Sequence, residues 1–264
     1  MDYVETFYDK YKNIGNRWNI PKDDAMRAVN KGTNALIREL QLNKTMPLKL
    51  PAYFKDIRND DRYIYDIIEG WIAQKMIRCW LYYRATTIDN GATVVKNGSD
   101  SDWVVVRDKA IRITSKQDLL VTTSTGIKTP VEVQTCRRSN QKKYHIKKYK
   151  AHSAIKNGGI FVFVNLQDDW YFIVDPANDL TPDVPVVYNG AYGGKECYEF
   201  NLYKIQELGM HKMNDLMPNK LKTLLGLPKR SYYGFRDNKG RFVARKAVVN
   251  NTVSTMKTTV GSVF

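Results

Sequence analysis

Cysteine and histidine are scarce in this chain, with three of each among 264 residues. Cys79, Cys136 and Cys197 are odd in number and far apart. That pattern argues against a disulfide framework or a zinc site and predicts a reducing, cytoplasmic setting. His145, His152 and His211 show no ligand spacing, and the first two are read as solvated. No apolar run approaches the ~20 residues that span a bilayer, so no membrane association is expected. The opening Met1-Asp2-Tyr3-Val4-Glu5 carries acids where a secretory leader would be basic and then apolar. Acidic residues are also few: 27 Asp and Glu face 42 Lys and Arg, for a net charge of +15. No internal repeat is evident.

What is present is a core and a basic surface. The hydrophobic fraction of 43% and aromatic fraction of 12% suffice for a packed interior. A pI of 9.6 fits a surface that neutralises nucleic-acid phosphates, since each neutralised phosphate releases condensed counterions. The charge is clustered. Between Arg137 and Lys156 lie Arg137, Arg138, Lys142, Lys143, Lys147, Lys148, Lys150 and Lys156 with no acid among them. A second basic cluster runs from Lys220 to Lys246. There Tyr232, Tyr233, Phe235 and Phe242 alternate with Arg236, Lys239, Arg241, Arg245 and Lys246 about an expected Asp237-Asn238-Lys239-Gly240 turn. Bases stacking on aromatics beside phosphate-binding cations would suit that mixture; a solvated hairpin fits it equally. The abundance of Lys, Asn and Tyr points to an AT-rich phage or bacterial genome.

Periodicity sets the expected elements. Residues 1–55 read as a helical N-terminal extension, with a helix opening at Ile20-Pro21-Lys22-Asp23-Asp24 because Pro and acids favour a first turn. A long helix is expected from Asp60 to Arg84, where Ile64, Ile67, Ile68, Trp71, Ile72, Met76 and Leu81 recur at helical spacing. Turn residues at Asn97-Gly98-Ser99-Asp100 between Thr93-Val94-Val95 and Trp103–Val106 predict a hairpin, and Ile111–Thr114 a further strand. Strands follow at Asp118–Thr123 and Val131–Cys136, then a basic helix from Ser139 to Lys156 ended by Asn157-Gly158-Gly159, then strands at Ile160–Val164 and Trp170–Val174. Residues 177–264 read as a basic C-terminal extension: irregular structure with short strands, helix from Leu202 to Leu225, and a frayed tail.

One acidic constellation stands out against the basic background. Asp118 opens one strand, and Glu132 and Gln134 lie two apart on the next, so both face the same side while Val131 and Val133 enter the core. Two carboxylates converging at a strand pair suit a divalent cation beside a phosphate, and hard oxygen ligands suit magnesium, with manganese as substitute.

This pattern resembles the PD-(D/E)XK nuclease superfamily, the restriction-endonuclease-like nucleases. Asp118 matches the first Asp of the motif, Glu132 the second acid, Gln134 the usual Lys position, and Glu69 the acid on the preceding helix. No Pro precedes Asp118, whose neighbour is Gln117, and the Gln resembles an E-x-Q variant among restriction enzymes. The resemblance covers residues 56–176 and rests on motif and element order. It implies an α/β fold with a mixed sheet flanked by helices, and a magnesium-dependent endonuclease cutting double-stranded DNA as a homodimer. Asp118, Glu132, Glu69 and the Val133 carbonyl would hold the metal, with Glu69, Asp118, Glu132 and Gln134 catalytic. Lys116 or Lys143 would substitute for the family lysine. Arg137, Arg138, Lys142, Lys143 and Lys147, with the C-terminal bases, would contact DNA. The extensions favour a site-specific restriction or homing enzyme. A structure-selective nuclease such as a Holliday-junction resolvase uses the same site, and a non-enzymatic nucleic-acid-binding or virion protein would carry the acids by coincidence.

Overall fold

The computed structural model describes residues 3–45, 60–98, 116–136, 138–139, 141–190, 194–228, 235–236 and 242–243. The chain begins with helices α1 (Tyr3–Tyr11), α2 (Ile14–Trp18), α3 (Lys22–Thr45) and α4 (Asp60–Ile88). Strands β1 (Thr93–Lys96), β2 (Leu119–Thr122), β3 (Lys128–Cys136) and β4 (Lys143–Lys147) follow, then α5 (Lys148–Asn157), β5 (Ile160–Asn165), β6 (Trp170–Val174) and α6 (Pro176–Asp179). The remaining elements are β7 (Val186–Asn189), β8 (Lys195–Asn201), α7 (Leu202–Leu208), β9 (His211–Lys212), α8 (Asn219–Leu224), β10 (Phe235–Arg236) and β11 (Phe242–Val243).

The architecture is mixed α/β, centred on a six-stranded sheet of order β1-β2-β3-β5-β6-β9. β3 and β5 run parallel, and every other neighbouring pair is antiparallel. Strand alternation divides the core in two. Val131 and Val133 of β3, Ile160, Val162 and Val164 of β5, and Tyr171 and Ile173 of β6 pack with α4 and the helices before it. Phe161 and Phe163 of β5 and Trp170, Phe172 and Val174 of β6 face the other way, against Ala151 and Ala154 of α5. β5 is therefore buried along its whole length, as its unbroken apolar sequence requires of a strand covered on both faces.

Helix α4 is buried on more than one side, because α3 and the sheet both pack on it. Ile68, Ile72, Met76, Ile77 and Leu81 are all excluded from solvent. Full burial of each such side chain contributes about 1.5–3 kcal/mol, offset by the entropy of ordering it. α3 starts directly after Pro21 with Asp23 and Asp24 in its first turn, as the sequence predicts.

The basic stretch departs from expectation. The helix predicted from Ser139 to Lys156 is instead β4 followed by a shorter α5. Tyr144 and Ile146 are buried while Lys143, His145 and Lys147 are not, a period of two that a strand satisfies and a helix does not. The reward is aromatic: Tyr144 packs edge-on to Phe163, Trp170 and Phe172. β4 joins β8 and β7 in a separate antiparallel sheet, so residues 177–200 contribute strands to it. α5 ends where Gly158 takes φ 64°, a left-handed conformation that glycine adopts without steric cost.

The chain forms one compact unit over Met1–Lys229 and a second over Arg230–Phe264. It does not divide at 55 and 176, because Phe7, Tyr11 and Trp18 near the start and Met213, Leu221 and Leu225 near the end belong to the same core as α4. Within the second unit β10 and β11 pair antiparallel; the predicted turn at Asp237-Asn238-Lys239-Gly240 lies outside the described residues. The expected strands at 103–106 and 111–114, and the tail, lie outside the described residues.

Candidate active site

The site is built where β2 begins. The Asn97 and Gly98 amides, just past the end of β1, donate to the Asp118 carbonyl at 2.9 and 3.3 Å, and the Asn97 side-chain amide donates to the Gln117 carbonyl at 3.1 Å. These bonds fix the backbone at the entry to β2. The Asp118 carboxylate crosses to β3, where its Oδ2 accepts from the Val133 backbone N–H at 2.8 Å. Val133 lies between Glu132 and Gln134, so the hydrogen bond ties the β2 acid to the middle of the Glu132–Gln134 motif.

Glu132 is 4% exposed, and a carboxylate taken out of water must be compensated. The Gln134 side-chain amide donates to its Oε1 at 3.2 Å. The Lys150 ammonium, in the first turn of α5, forms an ion pair with the same oxygen. Burial acts to lower the Lys150 pKa, but the charges of Glu132 and Asp118 outweigh it and hold the ammonium above the ordinary lysine value. Lys147, half-buried at the end of β4, behaves oppositely. Burial first, then the like charges of Lys150 and Lys195, push its pKa down, with Glu132 opposing.

Asp118, Glu132 and Gln134 are thus brought together as predicted, and Lys150 joins them. Glu69 is not with them. It is 1% exposed, paired with Lys10 of α1 and approached by the Tyr11 hydroxyl at 3.4 Å. The reason is the sheet. In the β3–β5 register Glu132 stands beside Phe161 and Val133 beside Val162. Glu132 therefore shares the α5 face of Phe161, whereas α4 covers the face of Val133 and Val162. Consistently, no group of three His, Cys, Asp or Glu side chains able to hold one metal ion occurs among the described residues.

The predicted substitute lysines are also elsewhere. Lys143 pairs with Glu199 of β8 at 2.9 Å, and Lys116 is exposed just before the site. Lys150 was missed because reading 139–156 as one continuous helix assigns the wrong face to the sheet. The signal lay in Ala151 and Ala154: two small residues three apart, both fully buried, let α5 approach closely and carry the adjacent lysine to Glu132. Of the predicted DNA contacts, Arg138 and Lys142 are exposed. Arg137, Lys239, Arg241, Arg245 and Lys246 lie outside the described residues, and of Arg236 only the backbone is described.

Among the described residues no helix is long and apolar enough to cross a membrane. In comparisons with known proteins, no family model matches the chain, and neither a curated protein nor a solved structure matches it.

Proposed function

We propose that this chain is a metal-dependent DNA endonuclease with a PD-(D/E)XK-type site. The observation that carries the reading is the meeting of Asp118, Glu132, Gln134 and Lys150 at one point on the mixed sheet. The order of α4, three antiparallel strands, β4 and α5 before a parallel β5 supports this reading, since the resemblance implies a mixed sheet flanked by helices. The family lysine is then supplied from α5 as Lys150, in place of the strand position that Gln134 occupies.

The donor set fits magnesium. This ion keeps several waters and is usually bound through one or two carboxylates, and the site offers two carboxylates on adjacent segments. Asp118, Glu132 and the Val133 carbonyl would hold it. When bound, it neutralises phosphate charge and lowers the pKa of a water.

The protein's own groups then divide the work. Lys150, kept charged by two carboxylates, orients Glu132 and stabilises negative charge building on the scissile phosphate. Gln134 donates its amide to Glu132 and keeps its carbonyl oxygen as an acceptor that can align an attacking water. Lys147, whose charge burial already disfavours, is the lysine better suited to take up a proton. A net charge of +15 and exposed Arg138 and Lys142 beyond β3 suit a polyanionic substrate. Double-strand cutting with one site per chain calls for a homodimer on DNA.

The test is cleavage of a diverse duplex pool and of a four-way junction in magnesium, by wild type and Glu132→Ala. Discrete duplex fragments from wild type alone support a site-specific endonuclease, and preferential junction cleavage a resolvase. If neither protein cuts in magnesium or manganese and both bind DNA equally, the nuclease reading fails and a binding protein remains.

A further inference from the structure

A second feature lies apart from the carboxylate pair. Between α3, α4 and the β1–β2 pair is a cavity of about 230 Å3, lined by Lys31, Trp71, Lys75, Arg78, Lys96 and Leu119 together with one neutral amide. Trp71, Lys75 and Arg78 recur on one face of α4 at helical spacing. Lys31 comes from α3, and Lys96 at the end of β1 is the register partner of Leu119. Among the described residues that line it, four are cations and none is a carboxylate.

Lys75 and Arg78, three apart on α4, work against folding. Like charges three or four apart on a helix destabilise it. Burial first, then the charges of Arg78, Lys31 and Lys96, push the Lys75 pKa below the ordinary lysine value. Lys31, Lys75 and Arg78 around one concavity are stabilised when an anion sits among them. Arg78 offers a planar fork that matches phosphate oxygens, and the lysines add mobile point charges.

Size narrows the ligand. The cavity is several times the ~30 Å3 share of one water, yet smaller than the ~300–1,000 Å3 of pockets that enclose drug-sized ligands. It has room for one or two phosphoryl groups with attached atoms. Trp71 and Leu119, 6% and 1% exposed, supply an apolar wall against which such an attachment can rest.

We propose that this cavity is a phosphate site, taking a phosphoryl group borne either by a small free phosphate compound or by a nucleotide strand. The inference does not rest on the nuclease reading, because it requires neither Asp118 nor Glu132.

The test uses the full chain in EDTA at fixed ionic strength. Inorganic phosphate, pyrophosphate and a dinucleotide with or without a 5′-phosphate are titrated by calorimetry against wild type, Lys75→Gln and Arg78→Gln. Saturable binding of a phosphate probe, weakened tenfold or more in either folded variant, is expected. Without phosphate the variants should melt at or above the wild-type temperature, since a repulsion has been removed; with phosphate only wild type should gain. Equal binding of inorganic phosphate and the 5′-phosphorylated dinucleotide assigns a free phosphate compound as source. Tenfold tighter binding of the 5′-phosphorylated dinucleotide assigns a nucleotide strand. No saturable binding of any probe, or unchanged affinity in both variants, overturns the proposal. Both results are independent of whether the protein cuts DNA.

Discussion

Replacing Lys150 by Met probes the site without any substrate. Met keeps most of the stem that crosses from α5 to the sheet but removes the ammonium. Glu132, 4% exposed, would keep only the Gln134 amide as a side-chain donor among the described residues. Breaking a fully buried ion pair by removing one partner costs about 3–5 kcal/mol. Lys150 is 35% exposed at its side chain, so part of its charge is already screened and the cost must be discounted towards surface values. About 2 kcal/mol results, or a fall in Tm of ~4–8 °C for a unit of this size. Glu132→Gln with Lys150→Met should recover much of that loss, because removing both charges leaves a neutral amide where a stranded carboxylate stood. Urea denaturation of the two singles and the double would measure the coupling. A Lys150→Met change within 0.5 kcal/mol of wild type, or a double variant as unstable as the sum of the singles, would refute the pairing.

Further outcomes follow from the same geometry. Asp89 accepts from the Ser124 and Gly91 amides at 2.8 and 3.2 Å; burial raises its pKa, but these bonds win and lower it. A depressed folded pKa gives stability that is present above the ordinary Asp value and lost as pH falls through the folded one. Asp89→Asn should therefore flatten the acid limb of a stability–pH curve below about pH 4, and an unchanged limb would count against it. Phe163 stacks on Phe172 at 4.6 Å with ring planes 4° apart, so Phe163→Ala should cost about 3–5 kcal/mol by chemical denaturation. Glu69→Gln should leave DNA cleavage within severalfold of wild type while lowering Tm, because Glu69 serves Lys10 on the opposite face of the sheet from Glu132; loss of cleavage with a retained fold would restore it to the site.

Much of the candidate site was legible in sequence because it depends on short-range regularities. The two-residue spacing of Glu132 and Gln134 fixes a common strand face, and the unbroken run from Ile160 to Val164 reads directly as a strand buried on both sides. What was not legible depends on partners distant in the chain. Tyr144 and Ile146 become a strand because β8, some fifty residues later, offers a ladder and because the rings of Phe163, Trp170 and Phe172 accept Tyr144. Once that segment is a strand, the helix after it is shorter, its alanines face the sheet, and Lys150 becomes the lysine at Glu132. Glu69 failed for a similar reason. Helical spacing places it among apolar residues, but only the sheet register reveals that those residues and Glu132 occupy opposite faces. The N-terminal helices looked like an appendage because their polar composition hides Phe7, Tyr11 and Trp18, which are wholly buried in the main core.

The most direct test of the central claim is magnesium-dependent nicking of supercoiled plasmid by wild type and Asp118→Asn. The amide keeps an oxygen for the Val133 N–H and the backbone bonds to Asn97 and Gly98, so the fold should persist while the negative charge is lost. Wild type should nick in a manner that EDTA abolishes, and the variant should lose at least about a hundredfold, consistent with removal of a coordinating or charge-stabilising group. Equal nicking by both proteins, or none by either at any magnesium or manganese concentration, would contradict it.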